Sequence, residues 1–596
     1  MKDAKFSNLP DTITAPRTDP IYNCHAYLTK VPIGAIKPFI EAFSDEGDKV
    51  ADIFAGSGMT GLAALSSKRN AKLSDISALG QHIAKGYLQH MPADDLLKAG
   101  EKVMEQARQN IGDIYQTKRA SDGDRQEMIR AVWSFTYVCP SCKSEMIYYN
   151  HLDEKGKAPS TCPNKKCDEK FVKRLWGRGE DVPVRVVIDG QNGKQVEQDI
   201  HVDDLKKIAE AAKDERQKDI PSKTIDEQRE MYSRSGLGKV GMTETSMFFS
   251  PRNALALLEL WNAINAVSNR KIKQKLRFAF TAILTRASKR YQWSPKRPLN
   301  AQNQTYYIAP VYYEWNVFEL FGRKINASIR ANAFLFGDED LFGEKEQPKV
   351  SYDLASADKL KHLDNNSIDY IFTDPPFGSN IFYSDMNLFH EAWLGITTSH
   401  KSEAVVHTTG KKKKGAEDRY EALLSNAFRE AYRVLKPGKY MSVVFGNSSG
   451  RIWGLVQRAM REAGFKAAPA HVAILDKGQR SVKGLNSGSE GVVTVDLVIT
   501  VQKPVAGENA NDGNRLANGD KTALIKAAIK ELSSSEAENP SHVYARILRK
   551  AIQQHLILDD LHLGDVLISL RNAGYAIDRK TGKLYVAEEK ETMKFG

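Results

Sequence analysis

The chain lacks the features that would place it in a membrane or outside the cell. No apolar run approaches the ~18 residues that suggest a membrane span. The first twenty residues are polar and broken by proline, without the apolar stretch of a secretory signal. These absences predict a cytoplasmic protein with no membrane partner. Cysteine is scarce: five in 596 residues cannot build a disulfide framework. No repeat of solenoid period is present.

Hydrophobic residues make up 41% and charged residues 27%, the balance of a folded soluble chain rather than a disordered or fibrous one. Lysine and arginine exceed aspartate and glutamate by 86 to 74, and the formal charge of +12 favours a polyanionic partner. Nucleic acid is the first expectation. Residues 251–345 interleave basic and aromatic side chains, as in FAFTAILTRASKRYQW, a mixture suited to phosphate contact and base stacking. Amphipathic helices with ordinary core aromatics would read the same way. The run Lys411 to Lys414 has the sign for phosphate contact, although such runs are usually solvated loops.

Residues 31–75 read as helix, strand, glycine-rich loop, helix and strand, the opening of an α/β domain with a parallel sheet. From about residue 96 the pattern gives way to charged helical stretches and a cysteine cluster, and strand–helix alternation resumes near residue 349. This organisation predicts one α/β domain, residues 1–95 and 346–504, interrupted by an inserted region at 96–345. A linker at 505–520 and a small helical module at 521–596 follow.

The sequence DIFAGSG, Asp52 to Gly58, stands after a predicted strand and before a helix. In that setting glycines let backbone approach a ligand closely, although a tight turn without a ligand would use the same residues. Asp75 ends the next strand, where a carboxylate can accept the hydroxyls of a ribose. The loop has no GK[ST], so a nucleoside without a phosphate chain, such as S-adenosylmethionine, is the expected ligand.

A second motif, Asp374-Pro375-Pro376-Phe377, closes the predicted strand SIDYIFT. Two prolines remove two backbone donors, leaving carbonyls and one carboxylate beside an aromatic ring. That is an acceptor-rich cradle for an amino group. The exocyclic amine of a base is a weak nucleophile because its lone pair is delocalised into the ring. Acceptors at its hydrogens, Asp374 and the Pro375 carbonyl, would favour the pyramidal geometry needed for attack on a methyl sulfonium. Phe377 could stack on the base once it leaves the duplex.

Together these motifs resemble those of the amino-group DNA methyltransferases of the class I, Rossmann-like type. DIFAGSG is similar to that family's cofactor loop, including Asp52, Phe54, Gly56 and Gly58; DPPF is similar to its catalytic tetrapeptide, and RVLKPGKYMSVVF to its fifth strand. His25 to Pro32, with Lys30, resembles the segment that closes over the methionine end of the cofactor, and Asp358 falls where the family contacts the cofactor's adenine. The resemblance implies a mostly parallel, doubly wound sheet, with S-adenosylmethionine as cofactor and DNA as partner. Restriction–modification is the setting expected of such enzymes, and whether a restriction or defence-system protein accompanies this chain is left open by the sequence. Gly58 and Asp374 lie 316 positions apart, which puts a large insertion between the second and third strands.

Cys139-Pro-Ser-Cys142 and Cys162-Pro-Asn-Lys-Lys-Cys167 supply two thiolate pairs at the spacing of a tetrahedral zinc site. Four thiolates leave no open position, so the expected role is structural, as a zinc ribbon at about residues 136–170. The layout most resembles the adenine-specific DNA methylases that carry such a ribbon. Cys24 stands apart and reads as a buried free thiol.

Adenine N6 is the expected target, because an acidic residue before the two prolines is commoner in the adenine enzymes of the family. Cytosine N4 presents the same amine beside a ring nitrogen, and an RNA base remains a further alternative. A catalytically silent DNA-binding subunit is the alternative outside enzymology.

Overall fold

The computed structural model describes the chain except for residues 1–8, 15–17, 191, 296–304, 338–347, 379–380, 408–412, 467, 477–494, 506–507, 509–516, 519, 533–537, 558, 579–581 and 588–596. Lys411, Lys412 and most of the expected linker therefore lie outside the described residues.

One eight-stranded sheet organises the molecule. Its strands are β1 (Thr12–Thr14), β2 (Lys49–Asp52), β3 (Asn70–Asp75), β4 (Val350–Leu354), β5 (Ile368–Thr373), β6 (Leu435–Phe445), β7 (His471–Asp476) and β8 (Asp496–Gln502). They lie in the order β1-β7-β8-β6-β5-β2-β3-β4. Every neighbouring pair is parallel except those of β8, which runs antiparallel to β6 and β7. β5 reads IDYIFT and is buried at all its positions, the pattern of a strand covered on both faces.

The covering helices are α1 (Pro20–Cys24), α2 (Ile33–Phe43), α3 (Met59–Ser66), α4 (Ala78–Leu88), α5 (Tyr383–Leu394), α6 (Ala416–Val434), α7 (Gly450–Glu462) and α8 (Pro540–Gln553). α6 shows why such segments are helical: Tyr420, Leu424, Ala427, Phe428, Ala431 and Val434 recur at three- and four-residue steps and form one buried stripe. α4 begins at Ser77, whose hydroxyl accepts the Gly80 N–H at 2.9 Å.

From β2 the chain builds outward through β3 to β4, then returns to lay β5 on the other side of β2. The strand order reverses there, and the carboxyl ends of β2 and β5 diverge into a crevice, the usual ligand position in such sheets.

Residues 76–349 intervene between β3 and β4, although the two strands pair directly. This stretch carries α4 and then an antiparallel sheet ordered Val311–Trp315, Arg130–Val138, Gly177–Asp189, Gln195–Asp199, with Glu145–Ile147 added to Arg130–Val138. The inserted region is not a tethered appendage. Its core runs on into Met386, Leu388, Phe389 and Trp393 of α5. Phe278 lies so close over α4 that a β-carbon at Gly86 would come within 2.2 Å of its ring. The C-terminal helices also join the main body: Val543, Tyr544 and Ile547 of α8 share a core with Val472 and Ile499 of the sheet. Among the described residues no helix is long and apolar enough to cross a membrane.

Candidate active site

A cleft open to solvent lies at the β2/β5 switch point. The glycine loop forms one wall, with Gly56 at φ +47°. Asp75 braces that loop: its two carboxylate oxygens accept the Gly56 N–H at 2.8 Å and the Ser77 N–H at 2.9 Å. Asp52 ties the loop to β5, accepting the Phe54 N–H at 3.1 Å, the Thr60 hydroxyl at 2.6 Å and the Thr373 hydroxyl at 2.8 Å. Burial pushes the Asp52 carboxyl up to about 6 and raises that of Asp75 as well.

Thr373 directly precedes Asp374, so one hydrogen-bond network sets the loop and the tetrapeptide relative to each other. Asp374 and Pro376 line the cleft opposite Asp75, and Lys30, Asp52, Phe54 and Gly56 also border it.

Five expected site residues are placed differently. Gly58, at φ +82°, faces α4 rather than the cleft: a β-carbon there would lie 2.6 Å from that of Ala84. Its glycine is required by helix packing. Asp358 also stands off the cleft, which is lined instead by Ser356 and Ala357. Pro375 is buried and does not line it. The Phe377 ring turns inward against Phe445, 4.9 Å between centroids, and its carbonyl accepts the Asn447 amide at 3.1 Å. Lys30 borders the cleft, but its ammonium donates to the carbonyls of Tyr22 at 2.6 Å and His25 at 2.7 Å. Burial lowers Lys30 to about 7. Its visible work is to hold the segment between α1 and α2. The Pro376 carbonyl is likewise occupied, by the Tyr420 hydroxyl at 2.6 Å.

Tyr27, from the segment expected to close over the cofactor, and two residues that sequence reasoning passed over, Tyr383 and Glu403, also line the cleft. The Tyr27 and Tyr383 rings stand 6.2 Å apart, and the Tyr383 hydroxyl meets that of Thr29 at 2.8 Å. Glu403 caps the start of α5, accepting the Tyr383 N–H, the Ser384 hydroxyl and, at 3.2 Å, the Ser384 N–H. Burial, reinforced by the nearby Asp385 charge, pushes Glu403 up to about 7. Only the aromatic character of Tyr383 offered a sequence signal, and Glu403 offered none.

The Glu403 shift carries a pH consequence. Between its ordinary value of 4.5 and about 7, the folded chain holds the Glu403 proton more tightly than the unfolded chain does. The stability tied to this proton is therefore full at low pH and is lost as pH rises through that window. Glu403→Gln should flatten the fall in melting temperature between pH 5 and pH 7. An unchanged slope would remove Glu403 as its source.

In the inserted region the four thiols converge. Cys139 and Cys167 sulfurs are 3.8 Å apart, Cys142 and Cys162 sulfurs 3.7 Å, and all four lie within 4.8 Å of one another. Zinc–sulfur bonds of about 2.3 Å in a tetrahedron require sulfur–sulfur distances near 3.8 Å. The donor set therefore fits zinc. Cys24 is remote from this cluster, buried beside Ser328 at 3.7 Å, with its thiol raised by burial.

Residues 6–93, which contain the glycine loop and Asp75, match the N6/N4 methyltransferase family model, described as DNA methylase. Over this segment the chain is similar to the DNA methylases. The methylase match stops well before Asp374, so the second half of the cleft stands on geometry alone. No curated protein matches the chain. Two solved structures are similar in part. A candidate DNA modification methylase from Thermus thermophilus shares 15% identity over 29% of this chain and 69% of its own, with a TM-score of 0.15. An S-adenosylmethionine-dependent methyltransferase from Methanosarcina mazei shares 12% over 30% and 78%, with a TM-score of 0.17.

Proposed function

We propose that the chain is an S-adenosylmethionine-dependent DNA methyltransferase acting on the exocyclic amine of a base, adenine N6 before cytosine N4. The observation that carries this reading is the convergence of Asp75 and Asp374, 299 positions apart, on one cleft behind a DNA methylase glycine loop.

The cleft suits a cationic methyl donor. Asp75, Asp374 and Glu403 all line it, whereas the ammonium of Lys30 is spent on backbone carbonyls. S-adenosylmethionine supplies an electrophilic methyl group on a positively charged sulfur. Asp75 and the Gly56 loop would hold its nucleoside, and Asp374 would accept an N–H of the target amine. With Phe377 packed against Phe445, Tyr27 and Tyr383 would supply aromatic surface to the site. The departing thioether needs no proton, so alignment and electrostatics suffice for most of the rate.

Zinc at Cys139, Cys142, Cys162 and Cys167 would be structural, supporting a DNA-contacting region at 96–345. Arg130, Arg286 and Arg323 lie 4.9, 5.7 and 5.4 Å from the Trp315 ring, a basic cluster that would suit phosphate even though Arg323 also pairs with Glu319 at 2.6 Å.

Transfer of a labelled methyl group from S-adenosylmethionine to DNA tests the reading, and labelled RNA with unlabelled DNA would move the assignment to RNA. The two glycines make a sharper internal test. Gly56→Ala pushes a methyl to 3.1 Å from the Tyr27 ring in the cleft wall, and should weaken donor binding about tenfold, or about 1.4 kcal/mol. Gly58→Ala strikes Ala84 instead and should lower the melting temperature. Calorimetry and thermal unfolding of both variants separate the two effects; equal donor affinities would mean that Gly56 does not face the donor.

A further inference from the structure

Arg290 follows the short helix Leu284–Ala287 in the inserted region and is only 3% exposed. Its guanidinium lies 4.2 Å from the Phe389 ring centroid and makes one long hydrogen bond, 3.4 Å to the Thr305 carbonyl. Among the described residues its Nε has no hydrogen-bond partner. Among the described residues no carboxylate pairs with it. Other deeply buried arginines nearby are neutralised: Arg252 pairs with Glu314, and Arg229 with Asp385 at 3.1 Å. Burial lowers Arg290 to about 10, so it stays charged at neutral pH. A buried cation without a counter-charge is costly, and its ring contact with Phe389 offsets only part of that cost.

The missing charge has somewhere to sit. A small side pocket, open on one side, is lined by Arg290, Thr285, His390, Leu28 and Met386, and shares Tyr27 and Asn387 with the main cleft. No carboxylate lines it, in contrast to the acidic cleft next door. His390 is held neutral, lowered by burial to about 3, and among the described residues its Nδ1 has no partner. A hydroxyl, an amide and an imidazole therefore surround the one cation.

We propose that this side pocket is an oxyanion subsite, with Arg290 as its cation, for an anionic group of a ligand that occupies the adjoining cleft. Two groups share that chemistry: a phosphate of the DNA strand presenting the target base, and the carboxylate of the methyl donor. Only the source of the anion rests on the methyltransferase reading; the subsite itself rests on the unpaired arginine and the pocket.

The test uses the full chain and its Arg290→Gln variant, with Arg290→Lys as a charge-retaining control should the first fold poorly. Inorganic phosphate should raise the melting temperature of the wild type saturably, and Arg290→Gln should lose that rise. If DNA phosphate is the source, Arg290→Gln weakens DNA binding, lowers the slope of log affinity against log salt by about one, and leaves donor affinity unchanged. If the donor carboxylate is the source, donor affinity falls about tenfold and a decarboxylated donor binds both proteins equally. Either pattern supports the subsite. Unchanged affinities for phosphate, DNA and donor in a folded variant would overturn it and leave Arg290 as a core cation. A chain that binds phosphate through Arg290 but transfers no methyl group would refute the proposed function and keep the subsite.

Discussion

Asp374→Ala is expected to reduce methyl transfer about a hundred- to a thousandfold, the usual scale for removing a preorganised charge from an active site, while donor binding persists. The structure sharpens the reason. In the tetrapeptide, the Pro376 carbonyl already accepts from Tyr420 and the Phe377 carbonyl from Asn447, so Asp374 is the charged acceptor that this segment brings to the cleft. Asp374→Asn, which keeps the shape but replaces one acceptor by a donor, should be nearly as damaging. Single-turnover rates alongside donor calorimetry separate chemistry from binding. Near-normal rates in both variants would show that the amine is activated elsewhere. Phe377→Ala, by contrast, should act chiefly on stability, because the ring packs on Phe445.

Loss of the metal should have the second largest effect. Metal analysis should find one zinc per chain, and chelation or Cys142→Ser should unfold the two thiolate turns and the strands they join. Structural zinc contributes on the order of 10 kcal/mol in small zinc peptides. Here Cys139 and Cys162 are embedded in a core shared with Trp133, Tyr137 and Trp176, so the damage should extend through the inserted sheet. DNA binding should collapse. Donor binding should survive, because the glycine loop is held by Asp52, Asp75 and Thr373, all outside that core. Calorimetry of the zinc-free protein checks this; loss of donor binding as well would mean that the inserted core also supports the cleft.

What was legible in the sequence divides along a physical line. The convergence of four cysteines was readable because chelation by two turns would impose short spacings on the chain. The glycine loop and Asp75 were readable because each sits at a strand end, and the alternation of strand and helix marks strand ends. The direction a side chain takes was not readable. Gly56 and Gly58 are two residues apart in one motif, yet one faces the cleft and the other α4, a distinction made by Ala84 and Tyr27. Phe377 was expected to face a base, and the contact its ring makes with Phe445 of β6 could not be read from the tetrapeptide. Glu403 reaches the cleft only because α5 needs its first N–H groups capped, and nothing local to residue 403 announces that. The inserted region showed itself by composition, whereas its shared core with α5 depends on contacts more than a hundred residues apart in the chain.

The most direct test of the central claim is the identity of the methylated nucleoside. DNA incubated with the protein and S-adenosylmethionine is digested to nucleosides and analysed by mass against standards. N6-methyladenine is the predicted product. N4-methylcytosine would correct the base and keep the chemistry of Asp374, whereas 5-methylcytosine, or no methylated base at all, would contradict an amine-directed site built on Asp374 and Asp75.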